Sequence, residues 1–503
     1  MVKSAGKDRV ILAVLDRTRA EPLFEQLASE LRMSIQNGAL PPKSRLPSIR
    51  TISTELGVSK NTVIQAFDVL AGEGYLTGRI GAGTYVANII PDDNLIYQHA
   101  PSGPEMRIRD IPKMTLSTRG VQMIASAIES PTEQPIPFMP DVPDLREFPM
   151  RTWLRIMGEA TGRLRSDLLA NVSNAGFDRL RQAIAQHISV ARGVRCSWEQ
   201  VIVTTGSQQS LDLICRLLLD RGDPVWMEDP GYIGAQSAFR GGGAEIYPIP
   251  VDEHGMAISK VPSTHPLPKL IFACPSRQYP LGSTLSPTRR EELMDFADTC
   301  GSWIVEDDYD CEYRYDGLAT GALQGVNPYR VVYMGTFSKT CVPSFRLGYL
   351  VVPEAFASAF ATTRAMIDRH APIMEQLALA EYIEHGHFAA HLRRMRELYR
   401  KRQDQLIQSV ADASAGQVRL PSLATGTNAI LWLKPGKSDT AATRIALEHG
   451  IVVRPISLYH AKSAMRSGLM LGYAAFTESE MKRAAENFFA ALPPEKWFDP
   501  DQT

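Results

Sequence analysis

The apolar pattern of this chain changes character partway along, and the change falls across a stretch that carries almost no pattern. From 87 to 135 the sequence is punctuated by Pro91, Pro101, Pro104, Pro112, Pro131 and Pro135. Each proline fixes its own φ and withdraws a backbone donor. An aperiodic stretch of roughly fifty residues is longer than loops within compact domains, so it reads as a linker. At 503 residues the chain also exceeds what one core holds. The expected division is a small domain over 10–87, a linker over 88–135 with at most a short helix in 120–130, and a large domain over 136–495.

Before the linker, Leu23, Leu27, Leu31 and Ile35 recur at every fourth residue, and the stripe closes at Gly38. Pro41-Pro42 breaks the chain. A short helix over 48–56 is opened by Pro47 and stopped by Gly57. A third begins at Ser59, a good N-cap, and buries Val63, Phe67 and Leu70. Tyr75-Leu76-Thr77 and Thr84-Tyr85-Val86 read as strands joined through Gly78, Gly81 and Gly83. This is the order of a winged helix-turn-helix. Its third helix turns Lys60, Asn61, Thr62 and Gln65 away from the apolar side, toward where phosphates and base edges would lie. Ser59 and the first amides suit a phosphate, Arg50 is placed to brace a backbone, and Arg79 on the hairpin reaches toward a neighbouring groove.

The net charge of −1 conceals a local excess, because 43–62 carries Lys43, Arg45, Arg50 and Lys60 against only Glu55. That excess suits a phosphate backbone, although a solvated charged face gives the same count. Apolar content of 44% and charged content of 22% exclude wholesale disorder. No apolar run approaches the ~20 residues of a membrane span, and Met1-Val2-Lys3-Ser4-Ala5-Gly6 lacks the apolar core of a secretory signal. The six cysteines have no CxxC spacing, so neither a metal site nor a disulfide framework is expected. A reducing cytoplasm is the expected compartment.

After Pro137, apolar strands alternate with amphipathic helices, the pattern of a mainly parallel α/β sheet followed by a C-terminal α+β subdomain. Four segments in this region carry chemistry. Val201-Ile202-Val203-Thr204-Thr205-Gly206-Ser207-Gln208-Gln209 is a strand, a glycine turn and a helix start, which aims amides at an anion. Asp229-Pro230-Gly231-Tyr232 presents an aromatic ring after a turn; Tyr232 fits either stacking on a ligand or the core. Ile304-Val305 runs into Glu306-Asp307-Asp308-Tyr309-Asp310. There Asp307 can hold a pyridine nitrogen protonated and Tyr309 can reach a ring hydroxyl, although a metal-binding or solvated turn has the same composition. Val331-Val332-Tyr333-Met334 leads into Gly335-Thr336-Phe337-Ser338-Lys339, with Arg346 beyond. Lys339 suits a Schiff base with a cofactor aldehyde, and Thr336 with Arg346 suits its phosphate.

Two resemblances arise from these motifs. Residues 22–86 resemble the GntR family of bacterial regulators through Leu46-Pro47-Ser48-Ile49-Arg50, Leu56-Gly57-Val58-Ser59-Lys60-Asn61-Thr62-Val63, Leu70-Ala71-Gly72-Glu73-Gly74-Tyr75-Leu76 and Gly81-Ala82-Gly83-Thr84-Tyr85-Val86. That likeness implies DNA contacts by Arg50, Ser59, Lys60, Asn61 and Thr62, with Gly81 at the wing tip. Residues 136–492 resemble fold-type I aminotransferases through Thr205-Gly206-Ser207-Gln208-Gln209, Glu228-Asp229-Pro230-Gly231-Tyr232, Pro275-Ser276-Arg277-Gln278-Tyr279-Pro280-Leu281-Gly282, Glu306-Asp307-Asp308-Tyr309-Asp310, Gly335-Thr336-Phe337-Ser338-Lys339 and Leu471-Gly472-Tyr473-Ala474. Together they resemble the MocR family of regulators, the group containing GabR and PdxR.

The resemblance implies pyridoxal 5'-phosphate as cofactor and Lys339 as its Schiff-base lysine. Ser207, Gln208, Tyr232, Gln278, Asp307, Tyr309, Thr336 and Arg346 would complete the cofactor site. It also implies a homodimer, commonly head-to-tail, that binds a double-stranded operator and senses an amine, an amino acid or a B6 vitamer. The alternative is an active aminotransferase with an accessory DNA-binding domain. Three departures favour the sensor, with slight or absent turnover. Asn171 stands where relatives carry an aromatic hydroxyl, Arg277 where a histidine is usual, and Leu469-Met470-Leu471-Gly472 lacks the arginine that grips a substrate carboxylate. Arg454, in Val452-Val453-Arg454-Pro455, is the candidate replacement for that arginine.

Overall fold

The computed structural model describes residues 15–17, 21–79, 83–88, 116–117, 120–121, 135–162, 172–317, 320–461, 466–500 and 502. Gly81, Asn171 and nearly all of the expected linker lie outside them; of the short helix expected in 120–130, only Gly120 and Val121 are described, and both are helical. Contacts divide the chain into two units, Met1–Met114 and Thr115–Thr503.

In the first unit, α1 (Leu23–Gln36), α2 (Ile49–Leu56) and α3 (Lys60–Gly72) precede a hairpin of β1 (Leu76–Arg79) and β2 (Gly83–Val86). The stripe on α1 buries Leu27, Leu31 and Ile35 with Val63, Phe67 and Leu70 of α3. Both later helices start on serine caps: Thr51 N donates to Ser48 Oγ and Thr62 N to Ser59 Oγ, each at 3.1 Å. Gly57 ends α2 in the left-handed conformation, with φ 62°. Residues 43–46 run beside the hairpin, with Leu46 N donating to Thr84 O and Val86 N to Ser44 O.

The second unit is built on an eight-stranded sheet in the order β3-β10-β9-β8-β7-β4-β5-β6. Its strands are β3 (Val201–Thr204), β4 (Pro224–Asp229), β5 (Glu245–Asp252), β6 (Gly255–Met256), β7 (Leu270–Ala273), β8 (Trp303–Asp308), β9 (Val331–Thr336) and β10 (Gly348–Val351). Strands β5, β4, β7, β8 and β9 are successively parallel, whereas β10 is antiparallel to β9 and β3. Side chains alternate between two apolar clusters: Val201, Val203, Tyr333 and Tyr349 face one, while Ile202, Val332, Met334 and Leu350 face the other. With both faces covered, the strands read as continuous apolar runs.

Around the sheet the chain forms α4 (Met150–Gly162), α5 (Asp178–Arg192), α6 (Ser207–Leu218), α7 (Ile233–Gly242), α8 (Pro287–Cys300), α9 (Ala357–Asp368), α10 (Ile373–Glu384) and the long α11 (His387–Ala413). The C-terminal part then adds an antiparallel sheet in the order β11-β13-β12, from Asn428–Trp432, Gly468–Gly472 and Arg454–Pro455. It packs with α12 (Asp439–Glu448) and α13 (Glu478–Ala491) around Leu431, Leu469, Leu471, Ala442 and Phe488. Phe138 belongs to the same cluster. Its segment is held by Val452 N donating to Pro137 O at 3.2 Å and Gly472 N donating to Phe138 O at 2.8 Å. Among the described residues, no helix is long and apolar enough to cross a membrane and no cluster of His, Cys, Asp or Glu could hold a metal ion.

Candidate functional site

The parallel strands of the large unit end along one edge of the sheet, where open α/β sheets leave a crevice for ligands. A cavity of about 210 Å³ opens there. Gly206, Ser207 and Gln208 reach it from the turn into α6, Asp307 and Tyr309 from the end of β8, and Thr336, Ser338 and Lys339 from the end of β9. Arg346, Tyr232, Tyr279 and Asp141 complete the lining.

One end of this cavity is built for an anion. Gly206 adopts φ 115° ahead of α6, so the first amides of that helix and the Ser207 hydroxyl converge there with the favourable end of the dipole. A Cβ on Gly206 would stand 3.9 Å from the Arg346 guanidinium, which closes the same end. Above the cavity lies Tyr232, whose hydroxyl accepts from Gln208 Nε2 at 3.3 Å. Gly234 makes room for that ring, since a Cβ there would fall 2.4 Å from the Tyr232 side chain.

The other end is built for a cation. Asp307 is buried and its Oδ1 has no hydrogen-bond partner. Burial, followed by the charges of Asp308, Asp310 and Glu228, pushes its carboxyl well above the ordinary range, and Lys339 opposes the shift. A protonated ring nitrogen would supply both the missing donor and the missing charge. Burial likewise raises the Tyr309 phenol, which stays protonated and able to donate. The anion cradle, the partnerless Asp307 oxygen and the amine of Lys339 therefore suit the phosphate, ring nitrogen and aldehyde of pyridoxal phosphate.

Residues 159–488 match the aminotransferase class I and II family, and residues 23–86 match the bacterial regulatory proteins of the gntR family. The chain is 37% identical over 487 residues to the probable rhizopine catabolism regulatory protein MocR of Rhizobium meliloti, covering 96% of both. This chain belongs to the MocR family. A second MocR-type relative is the pyridoxine biosynthesis transcriptional regulator PdxR of Corynebacterium glutamicum, 31% identical over 91% of this chain and 93% of its own. The large unit superposes on LysN, the alpha-aminoadipate aminotransferase of Thermus thermophilus, solved with N-(5'-phosphopyridoxyl)-L-leucine. That match has a TM-score of 0.64 and 26% identity, and covers 75% of this chain and 94% of LysN. As a MocR-family member the chain is a transcriptional regulator, with a DNA-binding gntR head and a body of the pyridoxal-phosphate-dependent aminotransferase fold.

Most of the residues expected at the MocR cofactor site meet in the cavity, and Gln278 does not. Its Nε2 donates to Pro230 O and Tyr279 O, each at 2.7 Å, and its Oε1 accepts from Leu281 N at 3.0 Å. The amide is consumed in shaping its own loop and in tying it to the turn after β4, and the next residue, Tyr279, faces the cavity instead. Arg277 stands behind the cavity lining: Nη1 pairs with Asp310 at 2.9 Å and donates to the Tyr309 hydroxyl at 3.5 Å, and Nη2 donates to Asn428 O at 3.1 Å. It lies so close to Gly426 that a Cβ there would sit 2.0 Å from its guanidinium carbon.

The residue that sequence reasoning missed is Asp141. Lys339 Nζ donates to its main-chain oxygen at 3.0 Å and lies 3.7 Å from its carboxylate. Tyr279 OH and Arg454 Nη1 both donate to Oδ2 at 2.6 Å, while Asn428 Nδ2 donates to Oδ1 at 2.9 Å. Burial alone would raise this carboxyl; the Lys339 and Arg454 charges, with the bonds from Tyr279 and Asn428, carry it well below the ordinary carboxylate range. Arg454 does hold a carboxylate, and that carboxylate belongs to the chain. It is also the cross-strand register partner of Met470, the residue in the arginine-free stretch of β13.

In the head, Arg50, Lys60 and Asn61 are exposed. Ser59 and Thr62 share a hydroxyl–hydroxyl bond of 2.9 Å as well as the cap, so each has a structural duty at the helix start.

Proposed function

We propose that the large unit holds pyridoxal 5'-phosphate on Lys339 and that occupancy of this site alters the grip of the head on operator DNA. The observation that carries the cofactor reading is the buried, partnerless Asp307 oxygen, which faces the same cavity as Lys339 and the Gly206–Arg346 anion cradle. When bound, the cofactor supplies an electrophilic carbon and an electron-withdrawing ring. Asp307 keeps the ring nitrogen protonated, Tyr309 donates to the ring oxygen, and Tyr232 limits movement across the ring face. Ser207, Thr336 and Arg346 fix the phosphate. Arg50, Ser59, Lys60, Asn61 and Thr62 contact DNA, the active form is a homodimer of head-to-tail type, and the signal is an amine, an amino acid or a B6 vitamer.

Sensing requires only that ligand affinity differ between DNA-competent and DNA-incompetent states. Turnover also requires the substrate to be fixed in a narrow reactive geometry. Met470 and the engagement of Arg454 with Asp141 leave the second requirement unmet for an amino-acid substrate, so a sensor with little turnover is the better reading.

The test is the affinity of the full chain for DNA from its own promoter, measured by fluorescence anisotropy with and without pyridoxal phosphate and then with amines added. A change of about 5-fold or more at one of these steps is expected, the lower end of common allosteric couplings. The same affinity in every ligand state contradicts the sensor reading.

A further inference from the structure

A second cavity, of about 630 Å³, adjoins the cofactor cavity and shares Asp141, Gln208, Lys339, Tyr232 and Tyr279 with it. A ligand amine approaching Lys339 places the rest of its molecule in this second space. The charge that meets it there is set by Asp141 and Arg454, paired at 2.6 Å. The pair is neutral as a unit. Tyr459 adds a hydroxyl 3.2 Å from that of Tyr279, so the wall presents one carboxylate, already paired with the Arg454 guanidinium, and the three phenols of Tyr232, Tyr279 and Tyr459 to the incoming group.

We propose that this chain recognises a primary amine whose far end carries hydroxyl groups and no carboxylate, and that Asp141 is the residue that sets this selectivity. The inference rests on the cofactor reading above. An amino-acid effector would have to bring its carboxylate beside that of Asp141 or break Asp141 away from Arg454. Arg454 is already paired with Asp141, so a second carboxylate in this partly buried space meets a like charge whose counter-ion is taken. Breaking Asp141 away costs its bonds to Tyr279, Asn428 and Arg454. The backbone cannot readily carry it aside, because Val452 and Gly472 clamp Pro137 and Phe138. Asp141 also sits at φ 68°, a conformation that L-residues seldom adopt and that glycine adopts freely. A hydroxyl meets none of these obstacles: it donates to the carboxylate and accepts from a tyrosine.

The experiment uses the full chain loaded with pyridoxal phosphate, titrated by calorimetry and absorbance with 2-aminoethanol, 3-aminopropan-1-ol and 4-aminobutan-1-ol. Each is compared with the amino acid of equal length: glycine, β-alanine and 4-aminobutanoate. The expected result is that at least one alcohol binds ten-fold or more tightly than its matching acid. In Asp141→Asn, which keeps the shape and removes the charge, the acid gains ten-fold or more relative to the alcohol. Asp141→Gly, which suits the backbone, shifts the ratio the same way. An acid that binds as tightly as its alcohol overturns the inference; so does an unchanged ratio in both variants, or silence toward every probe. The violet absorption band of the loaded protein separates the two levels. Its absence refutes the cofactor reading, whereas a normal band without alcohol preference refutes only the role of Asp141.

Discussion

Each buried carboxyl of the large unit answers to its immediate surroundings, and Glu228 shows the consequence most simply. It is buried on β4, where its Oε2 accepts from Cys274 N at 3.2 Å and Gln278 Nε2 at 3.4 Å. Burial outweighs both bonds and pushes the carboxyl from 4.5 up to about 8. A pKa raised on folding means that the folded chain holds this proton more tightly than the unfolded one. The stabilising share of Glu228 is therefore complete below pH 4.5 and is lost as pH rises through about 8. The denaturation midpoint of cofactor-free protein should fall as pH rises across this window, and Glu228→Gln should flatten the fall. Midpoints that decline in parallel for both proteins contradict the assignment. Residues such as Lys339, Asp307 and Arg346 were legible in the sequence because each sits where a local strand or turn pattern hands over to a loop. Asp141 was not legible. Its partners Tyr279, Lys339, Asn428 and Arg454 lie 138, 198, 287 and 313 positions away, and it sits just beyond a proline-rich stretch that carries no period.

At the scale of elements, caps and apolar stripes carried the sequence reading of the head. Ser48 and Ser59 start helices as their residue type demands, and Gly57 ends one. The pairing of 43–46 with the hairpin was missed, because Pro41-Pro42 signalled only a break and the following polar residues have no alternation. In the large unit, the reversal of β10 was equally hidden. Gly348-Tyr349-Leu350-Val351 is buried throughout, and such a run has the same pattern in either direction. The exposed start of α3 and the first turn of α2 lead to a prediction for the head. Arg50→Ala should weaken operator binding by ~1–3 kcal/mol, as expected for loss of a charged contact, while leaving the fold intact. Arg50 and Lys60 are exposed, and the core of Leu27, Leu31, Val63 and Leu70 uses neither. Unchanged anisotropy titrations at moderate salt for both Arg50→Ala and Lys60→Ala rule out this docking.

For the whole molecule, the proline-punctuated stretch suggested a small and a large unit, and the contact division falls inside that stretch. The identity of each unit followed from several motifs in the right order, since no single pair such as Ser338-Lys339 is informative alone. In the proposed function the two units are coupled through a cofactor on Lys339, because every ligand effect proposed above passes through that site. The most direct measurement is borohydride reduction of the full chain with pyridoxal phosphate, followed by proteolysis and mass mapping of the reduced adduct. The adduct is expected on the peptide bearing Lys339 and absent from Lys339→Ala. A stoichiometric adduct on any other lysine, or none at saturating cofactor, contradicts the assignment.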